Sequence, residues 1–147
     1  MPRLLIPLAA LSILVWASPA FAADPALVAQ LLKTKKCPGC DLSGADLREA
    51  NLFWCNLRGA KLAGADLSGA MMKDCDVREA NFNGAKLVGT NLFGSLGQGS
   101  TFVGADLTRT DLNHSNFSGV DFTGATMVKT ITASANLEGA KLEGVKK

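Results

Sequence analysis

From Leu42 to Leu142 every fifth residue is large and apolar, with only Gly97 and Thr132 breaking the run. Two residues before each of these centres stands a small side chain, from Cys40, Ala45 and Ala50 through to Ala140, with Val120 the bulkiest. The residue just before a centre is most often Asp or Asn, and the residue two after it is most often Gly. A helix repeats its apolar positions at three and four residues and a strand at two, so neither explains a period of five. Each unit has two inward positions, one large and one small, and three outward ones. Such a unit cannot bury its own apolar face and must stack on copies of itself. The chain is a solenoid.

Units such as Ala45-Asp46-Leu47, Ala50-Asn51-Leu52, Ala65-Asp66-Leu67, Ala80-Asn81-Phe82 and Ala135-Asn136-Leu137 carry a further likeness. They resemble the A-(D/N)-L-x-x consensus of pentapeptide-repeat proteins over residues 40–144. The resemblance implies an all-β solenoid, a right-handed quadrilateral β-helix with four units to a coil. It would hold about five coils, stacked roughly 4.8 Å apart. Leu42, Leu62, Phe82, Phe102, Phe122 and Leu142 then form one inward column with three successive phenyl rings. At Gly97 and Thr132 the apolar residue comes one place early, as Leu96 and Ile131, which predicts a local bulge.

The segments ahead of the repeats have different signatures. Met1-Pro2-Arg3 starts positive, Leu4 to Trp16 is apolar apart from Pro7 and Ser12, and Ala20-Phe21-Ala22 has the small-x-small spacing of a cleavage site. These residues predict a signal peptide over 1–22, a capping helix over 23–36 and the repeat domain over 37–147. The apolar run is too short to span a bilayer stably. Export to the periplasm is expected, or to the thylakoid lumen in a cyanobacterium, with no membrane insertion after cleavage. Asp24-Pro25 is a helix start, Leu27, Val28, Leu31 and Leu32 share a face, and Lys33, Lys35 and Lys36 suit the C-terminal end of the dipole. The open first coil is the surface such a helix would cover.

Export places Cys37, Cys40, Cys55 and Cys75 where disulfides persist. Cys55 and Cys75 hold the same small inward position one coil apart, within the roughly 4.4–6.8 Å Cα window for a bridge. Cys37 and Cys40 flank a Pro-Gly turn. The expected pairs are 37–40 and 55–75, with buried free thiols at 55 and 75 the alternative. A C-x-x-C pair invites a redox reading, but here it follows a helix instead of starting one.

Little else carries chemistry. The chain has one His, no Tyr, and 15 basic against 13 acidic residues, so it offers no field for nucleic acid. His114 with Asp111 and a nearby Ser lacks a pocket that excludes water. No catalytic site, cofactor or metal site is expected. One side gathers exposed apolar residues, Phe53, Trp54, Met71 and Phe93, which reads as a partner-binding patch. Their folding back against the N-terminal helix or a corner is the alternative. The short tail after Leu142 leaves the last coil open, so end-to-end homodimerisation through it is expected, with fraying the alternative. The sequence thus predicts a non-catalytic exported scaffold or protein-interaction module. The alternatives are a DNA-mimic topoisomerase-binding protein, as the family resemblance allows, and an exported thiol-disulfide protein using Cys37 and Cys40.

Overall fold

The computed structural model describes residues 22–147, so the leader assigned to residues 1–22 falls, but for Ala22, outside the described residues. A single helix, α1, runs Pro25–Thr34. The Asp24 carboxylate accepts the Ala26 N–H at 2.8 Å, and Pro25 begins the helix where no backbone donor is needed. Lys35 ends it in the left-handed region at φ 60°, with its N–H on the Leu31 carbonyl. The Lys35 ammonium donates to the Leu32 and Asn51 carbonyls, which ties the helix end to the first coil. Leu31 is fully buried and Leu27 and Val28 pack on the core, so α1 covers that coil.

From Lys36 to Lys146, each residue ahead of a centre pairs in parallel with the residue twenty places on: Asp46 with Asp66, Asp66 with Lys86, Lys86 with Asp106. The bridges recur every five residues, so a twenty-residue coil has four sides. Two backbone bonds serve each crossing, as when Leu47 N–H donates to Asp66 O at 2.8 Å and Asp66 N–H to Ala45 O at 2.9 Å. A further bond inside each unit, such as Ala45 N–H to Leu42 O at 3.0 Å, closes the corner. The backbone of a unit therefore finds its partners in its own turn and in the adjoining coils.

This geometry explains the Asp/Asn preference. At Asp41, Asp66 and Asp111 one carboxylate oxygen accepts the N–H two residues on, from Ser43, Ser68 and Asn113, at 2.9–3.1 Å. Hydroxyls at the small inward position are also satisfied. Thr90, Ser95 and Thr110 are buried and donate to Leu67, Met72 and Leu87 carbonyls at 2.8, 2.8 and 2.6 Å. Each carbonyl belongs to the preceding coil.

The phenyl column stacks as its register requires. Phe82 and Phe102 lie 4.6 Å apart at 7°, and Phe102 and Phe122 5.3 Å apart at 27°. The expected bulge at Gly97 and Thr132 does not form, because Leu96 still bridges Asp76 and Asn116, and Ile131 still bridges Asp111. At Gly97 the Phe117 ring takes the vacated volume. Thr132 is half-buried near the C-terminal end, where packing no longer demands a large centre. Burial fades over the same stretch: Phe122 is fully enclosed, Met127 and Leu137 are half-buried, and Leu142 is 44% exposed. Among the described residues no helix is long and apolar enough to cross a membrane.

Candidate functional site

The side of the rod built on Leu52, Met72, Leu92 and Leu112 departs from the polar rule. Leu52, Phe53, Trp54 and Cys55 form a corner closed by the Cys55 N–H on the Leu52 carbonyl at 3.1 Å. The third residue of such a corner takes positive φ, which is why Gly fills it in most units: Gly94, two coils on, has φ 69°. Trp54 holds the same position at φ 55°. A bulky L-residue there is strained by roughly 1–2 kcal/mol. The conformation also throws the indole outward, 74% exposed, the most open large apolar side chain among the described residues.

Phe53 is half-buried beside it, the ring centroids 5.8 Å apart. Met71, one coil on, is 37% exposed at the opposite edge of the same side. Phe93 is half-buried, with the Lys73 ammonium 5.2 Å from its ring centre and His114 tilted against it at 4.9 Å. Neighbours from the coils on either side thus pack on this ring, so Phe93 offers less free surface than Trp54. The structure brings Phe53 and Trp54 into contact. The Lys73–Phe93–His114 stack is a feature that sequence reasoning missed. A twenty-residue step in the repeat numbering, 73 to 93, and its corner neighbour at 114 was the available signal.

The four cysteines form Cys37–Cys40 and Cys55–Cys75, with Cα separations of 5.4 and 4.6 Å. Both lie in the N-terminal coils, the first beneath α1, where Cys37 is buried and its sulfur approaches the Leu27 carbonyl. Asp111, His114 and the nearby Ser115 do not assemble into a catalytic triad. Asp111 is engaged with the Asn113 N–H, the buried Ser115 hydroxyl donates to Leu112 O, and His114 rests on Phe93. Among the described residues no group of His, Cys, Asp and Glu has the arrangement of a metal site.

Some of the charges on the outer faces are paired with near neighbours. Arg48 binds Asp46 at 2.7 Å, Arg58 binds Glu79 at 2.6 Å and Arg78 binds Asp76 at 2.6 Å. The Arg48 side chain, then its N–H, hold the Asp46 carboxyl down at about 2. Exposed pairs of this kind add little stability, but they break up any continuous acidic face.

The family described as pentapeptide repeats matches the chain in eight copies, over residues 36–64, 60–96 and 98–130. A pentapeptide repeat protein of the Arabidopsis thaliana thylakoid lumen has a similar structure, at 23% identity and TM-score 0.51, covering 79% of this chain and 68% of that one. A pentapeptide repeat protein of the cyanobacterium Cyanothece 51142 is 20% identical, with TM-score 0.45, 82% of this chain and 97% of the other covered. One from Nostoc is 19% identical, with TM-score 0.45, over 85% and 96%. No curated protein matches the chain.

Proposed function

The chain belongs to the pentapeptide repeat family, and we propose that it is a non-catalytic, exported protein-interaction module whose contact surface is the side bearing Phe53, Trp54, Met71 and Phe93. The observation that carries this reading is Trp54. Six other non-glycine residues share its left-handed corner position, but Trp54 alone puts a large apolar side chain there, 74% exposed beside half-buried Phe53, which favours a contact made outside the chain. The partner is a protein with an apolar pocket able to take the indole, with Met71 and the edge of Phe93 at the margin. A formal net charge of only +2, from 15 basic and 13 acidic residues spread along the chain, favours this over mimicry of nucleic acid.

The finer architecture belongs to the same reading. The twenty-residue bridges between Lys36 and Lys146 support about five coils, and the family supports a right-handed sense. The open C-terminal coil, with Leu142 exposed and Met127 and Leu137 half-covered around a concavity of about 300 Å³, supports end-to-end pairing of two copies. Export rests on the leader pattern.

Trp54→Gly tests the contact surface without breaking the rod, because it installs the residue that the corner prefers. Affinity capture from the exported compartment is compared for parent and variant. The expected result is a folded variant that loses the parent's partner. Capture of the same proteins by both would overturn the reading.

A further inference from the structure

The Cys55–Cys75 pair sits against the corner that presents the aromatic residues. Cys75 Sγ lies 2.8 Å from the Leu52 carbonyl oxygen and 3.2 Å from the Cys55 amide nitrogen, the two ends of the Leu52–Cys55 corner. Phe53 and Trp54 are the central residues of that corner. The disulfide also joins two residues that each follow a non-glycine in the left-handed region, Trp54 at φ 55° and Asp74 at φ 56°.

One coil further on, the same place is occupied by a hydroxyl. Ser95 Oγ donates to Met72 O at 2.8 Å and accepts the Cys75 N–H at 3.0 Å, so it spans the ends of the Met72–Cys75 corner. A thiol at Cys75 would meet Leu52 O and the Cys55 N–H in the equivalent way. The site therefore suits two states of the same sulfur: bonded to Cys55, or protonated and hydrogen-bonded to Leu52.

We propose that Cys55–Cys75 is a redox control on the Phe53–Trp54 corner, a regulation that rests on reading Trp54 as a contact residue. As a disulfide the pair locks the strained corner to the next coil. Reduced, it leaves the corner held by hydrogen bonds alone, and Trp54 gains freedom to leave its left-handed conformation. The reductant is a dithiol. Its thiolate attacks one sulfur, and the Cys55–Cys75 bond breaks to give a mixed disulfide and one free cysteine. The second thiol then attacks the reductant's sulfur in that mixed disulfide and displaces the other cysteine as its thiolate. The reductant ends as a disulfide, and its two protons end on the Cys55 and Cys75 sulfurs. Both cysteines are at most 2% exposed, so exchange requires the first coils to open, whereas half-buried Cys40 is reached first.

The experiment follows amide hydrogen exchange at Trp54 and Cys55 in a Cys37→Ser, Cys40→Ser chain, before and after reduction with dithiothreitol. These amides bond to Lys73 O and Leu52 O. Exchange at both is expected to rise about tenfold on reduction, while the Leu92–Ser95 corner stays unchanged. Cys75→Ser in the parent chain keeps the hydrogen bond, removes the crosslink and should match the reduced form. Equal exchange in the two redox states, or free thiols at 55 and 75 in protein from an oxidising compartment, would overturn the proposal. Exchange needs no partner, so this failure is distinct from a failure of the contact surface, which the Trp54→Gly capture reports.

Discussion

Phe117 occupies the space that a side chain at Gly97 would fill: a Cβ on Gly97 would lie 2.3 Å from the Phe117 ring. The two residues sit one coil apart on the same side, and the loss of a large centre in one coil is offset by a larger one in the next. The ring also meets Phe102 edge-on at 5.7 Å, so it joins the phenyl column from the side. Gly97→Ala should therefore destabilise the rod by about 1–3 kcal/mol through overpacking. Phe117→Leu should rescue much of that loss. Denaturant midpoints of the two single variants and the double variant measure the coupling, and additive effects would show that the residues do not share the space.

The phenyl column makes a second prediction. Phe102 is fully buried and touches Phe82, Phe117 and Phe122. Phe102→Ala should cost on the order of 3–5 kcal/mol. Leu142→Ala, at a site already 44% exposed, should cost well under half as much. Urea unfolding of both variants checks the ratio, and equal losses would contradict the burial gradient.

Trp54→Gly should stabilise the isolated protein. Relief of the left-handed strain is about 1–2 kcal/mol, and the added freedom of glycine in the unfolded chain returns about 0.5–1 kcal/mol of it. A net gain of up to about 1 kcal/mol is expected in the denaturant midpoint. A clear loss of stability would mean that the indole packs in solution and acts as a structural residue.

Acid should weaken the fold through the carboxylates that accept corner N–H groups. Asp41, Asp66 and Asp121 are lowered first by bonds from Ser43, Ser68 and Thr123, and Asp46 and Asp76 by bonds from Arg48 and Arg78. A carboxyl whose folded pKa lies below its ordinary value near 3.9 contributes stability that is present above that value. The contribution disappears as pH falls through the folded pKa, here towards about 2 at Asp46. Melting temperature should be flat from neutral pH to about 5 and fall between about 4 and 2. Replacing all five by Asn, which fills the same role at Asn81 with an N–H bond from Asn83 at 2.9 Å, should flatten the acid limb. An unchanged limb would place the acid sensitivity elsewhere.

The repeat itself was legible in the sequence because a solenoid writes its packing locally: every fifth residue is an inward centre, and the four units per coil that the family resemblance implies put Leu47, Leu67 and Leu87 in one column. The equal spacing of Cys55 and Cys75 was readable for the same reason. What sequence could not supply were events at one coil that depend on the coil beside it. Whether Gly97 would bulge the chain depended on the volume of Phe117, twenty residues away, and only packing in three dimensions brings that ring to the gap. Which of Phe53, Trp54, Met71 and Phe93 stands free also depended on neighbours across coils. Lys73 and His114 pack on Phe93, while Trp54, set in the left-handed corner, has its indole thrown clear of the rod. Periodicity fixes which face a residue belongs to; the side chains stacked above and below it decide how much of that face remains open.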